Sequence, residues 1–135
     1  MPVEIQEFIE RGRDRLPGLV GVQIDEIDEG RVRMHLPLRQ ELLAPNGYLH
    51  AATVVGLADS ACGYGCIASL PDGATGFTTI ELKTNFLATA LEGMLSCESQ
   101  LLHGGRTTQI WDATVKDQAG KTLALFRCTQ LLLYA

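Results

Sequence analysis

One segment constrains this fold more than any other: His50-Ala-Ala-Thr-Val-Val-Gly-Leu-Ala-Asp-Ser-Ala-Cys-Gly-Tyr-Gly-Cys-Ile-Ala-Ser-Leu70. Its side chains are small or apolar nearly all the way round, and a helix of that kind is stable only when other structure encloses it. Gly63 and Gly65 lack the Cβ that would hold a neighbour away from the helix backbone. Pro71-Asp72-Gly73 then stops the helix. The rest of the chain must therefore supply a surface that wraps this helix. A chain of 135 residues, 46% of them hydrophobic, is long enough to do so as one domain spanning residues 1–135.

The wrapping surface reads as strands. Val20, Val22 and Ile24 precede the turn Asp28-Glu29-Gly30, after which Val32, Met34 and Leu36 alternate with Arg31, Arg33 and His35. That is a hairpin with one wet face, on which His35 serves solvation. Beyond the helix four strands are expected, over 76–88, 91–102, 106–116 and 121–133, separated by Glu92-Gly93, Gly104-Gly105 and Asp117-Gln118-Ala119-Gly120. Separators of hairpin length predict an antiparallel meander. Residues 3–16 place Val3, Ile5, Phe8, Ile9 and Leu16 among charges, which predicts a short amphipathic N-terminal helix ended by Pro17-Gly18. The expected class is α+β, with one curved antiparallel sheet holding one long apolar helix against its concave face.

Charge and cysteine usage narrow the function. The net charge is −5 at pH 7, with eleven Lys and Arg that form no run, which disfavours nucleic acid or an anionic membrane as the main partner. The N-terminal Met1-Pro2-Val3-Glu4-Ile5-Gln6-Glu7 carries acids where a signal peptide carries bases, so a cytoplasmic protein is expected. Cys62, Cys66, Cys97 and Cys128 form no CxxC pair, and His35, His50 and His103 have no ligand-spaced neighbour. Packed, reduced thiols and no metal are expected, and no cofactor is called for.

Three features could carry chemistry. Asp59 is the only acid between Glu41 and Asp72 and stands in the middle of the apolar helix. A carboxylate there either bonds solvent or backbone, or acts as a general base or nucleophile in a low-dielectric cleft. The second feature is the helix entrance, Ala44-Pro45-Asn46-Gly47-Tyr48-Leu49-His50-Ala51-Ala52, whose first backbone N–H groups and macrodipole would stabilise a negative oxygen. His50 and Asp59 are separated by about 13.5 Å of helical rise and roughly 180° of rotation. If both act on one carbonyl, the two must come from different subunits, which predicts a dimer with composite sites. The third is His103-Gly104-Gly105-Arg106, which is either a plain hairpin turn or an anion contact made by glycine N–H groups and an arginine fork.

Together, Asn46-Gly47-Tyr48-Leu49-His50-Ala51-Ala52, Leu57-Ala58-Asp59-Ser60-Ala61, Thr78-Thr79-Ile80-Glu81-Leu82-Lys83-Thr84-Asn85-Phe86-Leu87 and the His103-to-Arg106 turn resemble the PaaI-like branch of the hotdog-fold acyl-CoA thioesterases. The likeness runs from about residue 19 to the end of the chain. It implies a hotdog domain, a homodimer and often a dimer of dimers, with acyl-CoA as substrate and no cofactor beyond the CoA moiety. In the family the acid at the Asp59 position activates water or attacks the thioester carbonyl. The backbone N–H just after the histidine, here that of Ala51, binds the oxyanion, and His50 orders the helix start. The resemblance also puts Thr79 near a residue that assists the water, and Gly104, Gly105 and Arg106 at the CoA phosphates. Two positions depart from the family pattern: Ala51-Ala52 stands where many members have Gly-Gly, and Ala44 where members often have Asn or Gln, leaving Asn46 as the substitute. The alternative is a hotdog domain that binds acyl-CoA or another small ligand without cleaving it.

Overall fold

The computed structural model describes residues 4–135. Val3, assigned above to the N-terminal helix, lies outside them. The amphipathic segment forms α1, Ile5–Gly12, whose Phe8 is buried and meets the Tyr64 ring edge-on at a centroid distance of 5.5 Å. Pro17-Gly18 does not end a helix as expected; it lies inside a second one, α2, Leu16–Val20. Proline is well placed there, because the first helical turn leaves its N–H groups unbonded in any case. Gly18 is required by proximity, since a Cβ there would lie 2.3 Å from the Arg13 carbonyl oxygen. Gly21, at φ 97, closes α2 in the left-handed conformation. Strand structure therefore begins at Gln23, later than Val20 and Val22 suggested.

The strands are β1 (Gln23–Asp28), β2 (Arg31–Pro37), β3 (Ala74–Phe86), β4 (Met94–Gly104), β5 (Thr108–Lys116) and β6 (Thr122–Tyr134). The long helix is α3, Ala51–Ala68, with His50 as its N-cap. The six strands form one sheet in the order β1-β2-β4-β5-β6-β3, with every pairing antiparallel. The β1–β2 hairpin and the β4-β5-β6 meander match the turn signals read above. The place of β3 does not: it pairs with β6 rather than β4 and ends the sheet at the far edge. Residues 87–93 are a crossover, anchored where the Leu87 and Ala88 N–H groups both donate to the Leu123 carbonyl at 2.7 and 3.2 Å. The Glu92-Gly93 signal marks where that crossover enters β4 and not a hairpin.

One face of the sheet is apolar and holds α3. Leu36 of β2, Leu95 and Cys97 of β4, Trp111 and Val115 of β5, and Phe126 and Cys128 of β6 are all buried with it. The two helix glycines work as anticipated. A Cβ on Gly65 would lie 2.4 Å from the Trp111 ring, and one on Gly63 would lie 3.2 Å from Phe77 Cζ, so an aromatic ring of the sheet packs directly on the helix at both points. By length and composition alone α3 could span a membrane, with a mean hydropathy of 1.3, but here it is the enclosed core helix. On the opposite face, charges alternate across strands: Arg31 with Glu98, Arg33 with Glu26, and Arg127 with Asp112. His35 is more than solvated there, because its Nδ1 lies 2.7 Å from Asp25 Oδ1.

Candidate active site

The entrance to α3 is a closed loop. Gly47 N–H donates to the Ala44 carbonyl at 2.8 Å, and Ala44 N–H donates to the Tyr48 carbonyl at 2.7 Å. Gly47 sits at φ 91, where a side chain would be strained. Asn46 folds its Oδ1 onto the Tyr48 N–H at 3.2 Å, so it builds this turn, and it is exposed. His50 then starts the helix: its Nδ1 accepts from Ala52 N–H at 2.9 Å, and its carbonyl accepts from Thr53 N–H at 3.0 Å. With Nδ1 accepting, Nε2 is the ring nitrogen left to carry the proton. The Ala52 and Thr53 donors are thus taken. The Ala51 N–H has no partner among the described residues and belongs to an exposed residue at the positive end of the helix.

Asp59 lies on the side of α3 turned toward β6 and β3. One turn further on, Gly63 meets Phe77 of β3, and three residues on, the Cys62 thiol faces that of Cys128 on β6. The Asp59 side chain is half-buried, and its Oδ1 is fully covered without any hydrogen-bond partner among the described residues. Burial lifts its carboxyl above the ordinary aspartate range, and no cation or donor offsets the shift. A carboxylate in that condition favours taking up a proton, which suits a general base. The thiols around it are inert: burial pushes Cys66 and Cys97 up to about 12, and Cys62 is raised by burial and by the facing Cys128.

The remaining residues singled out from the sequence fall elsewhere. The Thr79 hydroxyl donates to Gln130 Oε1 at 2.6 Å, so its proton is committed to a fully buried partner on the adjacent strand. The Gly104–Arg106 turn lies toward the opposite end of α3 from the entrance, near Gln109, whose Nε2 donates to the Ser69 carbonyl at 2.9 Å. Gly105 N–H is used inside the turn, donating to the Thr108 carbonyl at 2.9 Å, and is not free for a phosphate. The Arg106 side chain is exposed and has no ion pair among the described residues. The unbroken helix keeps Ala51 and Asp59 about 12 Å apart along its axis, so one chain does not join them.

Sequence reasoning missed three participants. Phe77 roofs the helix at Gly63, Gln130 holds Thr79, and the Tyr134 hydroxyl donates to the Arg106 carbonyl and pins the turn. Gln130 was readable in principle, as a polar residue in the otherwise apolar row Ala124, Phe126, Cys128, Leu132 of β6.

A model of the thioesterase superfamily matches residues 46–124, more than half of the chain. The chain belongs to the thioesterase superfamily. Among similar proteins, this thioesterase is 29% identical over 110 residues to the 1,4-dihydroxy-2-naphthoyl-CoA hydrolase of Listeria monocytogenes, covering 82% of the chain and 89% of the relative. It is 28% identical over 109 residues to the acyl-coenzyme A thioesterase PaaI of Escherichia coli, covering 80% and 75%. Among solved structures, a thioesterase family protein from Silicibacter pomeroyi superposes with a TM-score of 0.85 at 28% identity, covering 97% and 98%. A mutant thioesterase from Pseudomonas aeruginosa reaches a TM-score of 0.92 at 21% identity, covering 98% and 96%, which establishes the shared fold. The protein is a hotdog-fold thioester hydrolase, as the resemblance to the PaaI-like branch implied.

Proposed function

We propose that this thioesterase hydrolyses an acyl-CoA to the free acid and CoA, with Asp59 as its base or nucleophile and the Ala51 N–H of a second subunit as its oxyanion donor. The observation that carries the reading is the Asp59 carboxyl itself, partly enclosed in an apolar helix with one oxygen covered and unbonded. Nothing structural is gained from that arrangement, whereas a base with a raised pKa transfers protons efficiently near neutral pH. As a base, Asp59 takes a proton from water as the water oxygen bonds to the thioester carbon. The resulting oxyanion is met by the Ala51 N–H and the positive end of α3. Collapse breaks the carbon–sulfur bond, and the thiolate of CoA recovers the proton from Asp59. As a nucleophile, Asp59 instead forms a mixed anhydride with release of CoA, and water then cleaves it.

The second subunit follows from the same geometry. The edge strand β3 is 13 residues long and carries the exposed side chains of Ile80, Leu82 and Phe86. A long, apolar, unpaired edge is a site for pairing with another strand. Two β3 edges joined about a two-fold axis would bring the α3 entrance of one subunit toward Asp59 of the other, and Arg106, without an ion pair among the described residues and with its carbonyl held by Tyr134, is the candidate contact for a CoA phosphate.

The test is release of free CoA from short, medium, long and aryl acyl-CoAs, followed by chromatography for wild type and Asp59→Asn, with sedimentation run on both. The expected result is turnover of at least one thioester and a loss of about 10²- to 10⁴-fold in the variant at unchanged mass. Binding of acyl-CoA with no cleavage, or equal cleavage by the variant, would establish the ligand-binding alternative.

A further inference from the structure

One face of α3 is left open by the other described elements. Val55, Asp59, Gly63 and Ile67 follow one another along it at four-residue intervals, each half-buried, and Ala51 and Ala52 at its start are exposed. On one flank lie α1 and α2, where Phe8 meets Tyr64 and Val20 approaches Gly56. On the other flank stands β3, whose Phe77 pairs with Leu132 in the buried row of β6 and so faces the helix. The open face is thus the floor of a channel, with small side chains from the helix entrance as far as Asp59.

The channel closes one turn past Asp59. Gly63 has no side chain, and the tip of the Phe77 ring takes that place: a Cβ on Gly63 would lie 3.2 Å from Phe77 Cζ and 4.0 Å from Cε2. Residues four apart on a helix are neighbours, with Cβ positions about 5–6 Å apart, so the ring tip stands beside the Asp59 side chain. A thioester carbonyl placed on Asp59 has two arms with different needs. The pantetheine arm of CoA is long and has to reach solvent, whereas an acyl group can end inside the protein. The arm therefore leaves along the open stretch past Val55 and Ala52, and the acyl group is turned toward Phe77. A two-fold axis that joins two β3 edges also sets the two α3 helices antiparallel, which brings the Gly104–Arg106 turn of the second subunit to this exit. The arginine that meets the CoA phosphates then belongs to the subunit that supplies the Ala51 N–H.

From this geometry we propose that Phe77 is the specificity-determining wall of the acyl pocket, ending it one turn beyond Asp59 and restricting hydrolysis to short acyl groups. The proposal rests on the reading of Asp59 as the group that faces the thioester. From Asp59 to Gly63 the helix rises about 6 Å, the length of about five atoms of an extended chain. Acyl groups up to hexanoyl fit that space, and octanoyl and longer chains run into the ring. Phe77 takes no part in the chemistry, and Gly63 serves it by leaving room for the ring tip. Ile67, one turn further along the same face, lies behind the wall and does not touch the acyl group.

The experiment measures kcat/KM for acetyl-, hexanoyl-, octanoyl- and decanoyl-CoA with wild type, Phe77→Ala, Phe77→Leu and, as the control behind the wall, Ile67→Val. Wild type is expected to lose about tenfold or more between hexanoyl and decanoyl. Phe77→Ala should move the optimum to the longer chains and raise the decanoyl-to-hexanoyl ratio about 10- to 100-fold, with Phe77→Leu between and Ile67→Val like wild type. Phe77→Leu keeps most of the packing and carries the test alone if Phe77→Ala does not fold. A wild-type preference for decanoyl, or Phe77 variants whose profiles run parallel to wild type, overturns the proposal. A rise in KM common to every chain length overturns it too, by placing the ring on the pantetheine arm. If Asp59→Asn keeps full turnover, the underlying reading of the base fails instead. Calorimetric binding of S-alkyl thioethers of CoA of the same lengths then still decides the point, since they are not cleaved: affinity that drops past the hexyl compound and recovers in Phe77→Ala supports the wall, and equal affinities overturn it.

Discussion

Gly65→Ala is the sharpest test of how α3 meets the sheet. The new methyl group would lie 2.4, 2.6 and 3.0 Å from three atoms of the Trp111 ring, distances that force something to move. The ring cannot easily yield. It is fully buried, its Nε1 donates to Gln109 Oε1 at 2.8 Å, and Gln109 in turn donates to the Ser69 carbonyl at 2.9 Å. Overpacking of this kind costs about 1–3 kcal/mol. Displacing the indole adds about 1 kcal/mol for its hydrogen bond. Alanine's better helix propensity returns about 1 kcal/mol. The net is a destabilisation of about 1–3 kcal/mol, or about 3–15 °C in Tm for a domain of this size. Trp111 is the only tryptophan, so its fluorescence reports the same site during urea or thermal unfolding at fixed protein concentration. Gly63→Ala is the internal control, because its Cβ would meet only the far end of Phe77 at 3.2 Å, and its stability should stay within about 0.5 kcal/mol of wild type. A Gly65→Ala protein as stable as Gly63→Ala would refute close packing as the reason for the glycine.

Two further perturbations follow. Burial raises the Asp59 carboxyl in the folded protein, so the native state holds its proton to higher pH than the unfolded chain does, and stability is lost as pH rises from the ordinary carboxyl range through the raised value. Asp59→Asn should therefore be more stable than wild type at pH 7, by about 0.5–2 kcal/mol, with the gain fading below the ordinary carboxyl range; denaturant titrations at several pH values that show a constant difference would contradict this. Tyr134→Phe removes the hydroxyl that pins the Arg106 carbonyl. It should raise KM for acyl-CoA about two- to fivefold at constant kcat, and an equal effect on a truncated thioester without the nucleotide would disprove the phosphate contact.

The long helix, its stop at Pro71-Asp72-Gly73 and its lone acid were legible because each rests on local composition. The three tight hairpins were legible for the same reason, through Gly30, Gly104-Gly105 and Asp117–Gly120. The partner of β3 was not, because the crossover 87–93 and a hairpin share the same turn residues and only long-range packing tells them apart. Pro17-Gly18 misled for the opposite reason, since a proline that ends one helix is equally fit to begin another. At the site, Asp59 and His50 were visible as anomalies in pattern. The bond from Thr79 to Gln130 was not, since it depends on the long-range pairing of β3 with β6.

The four buried thiols carry a consequence for an enzyme that works on thioesters. Exchange of an acyl group between CoA and a cysteine is close to thermoneutral, and only the thiolate attacks. Burial pushes Cys66 and Cys97 up to about 12, which keeps them as thiols at neutral pH, and all four cysteines are buried. Such burial keeps the protein's own sulfurs from competing as acyl acceptors.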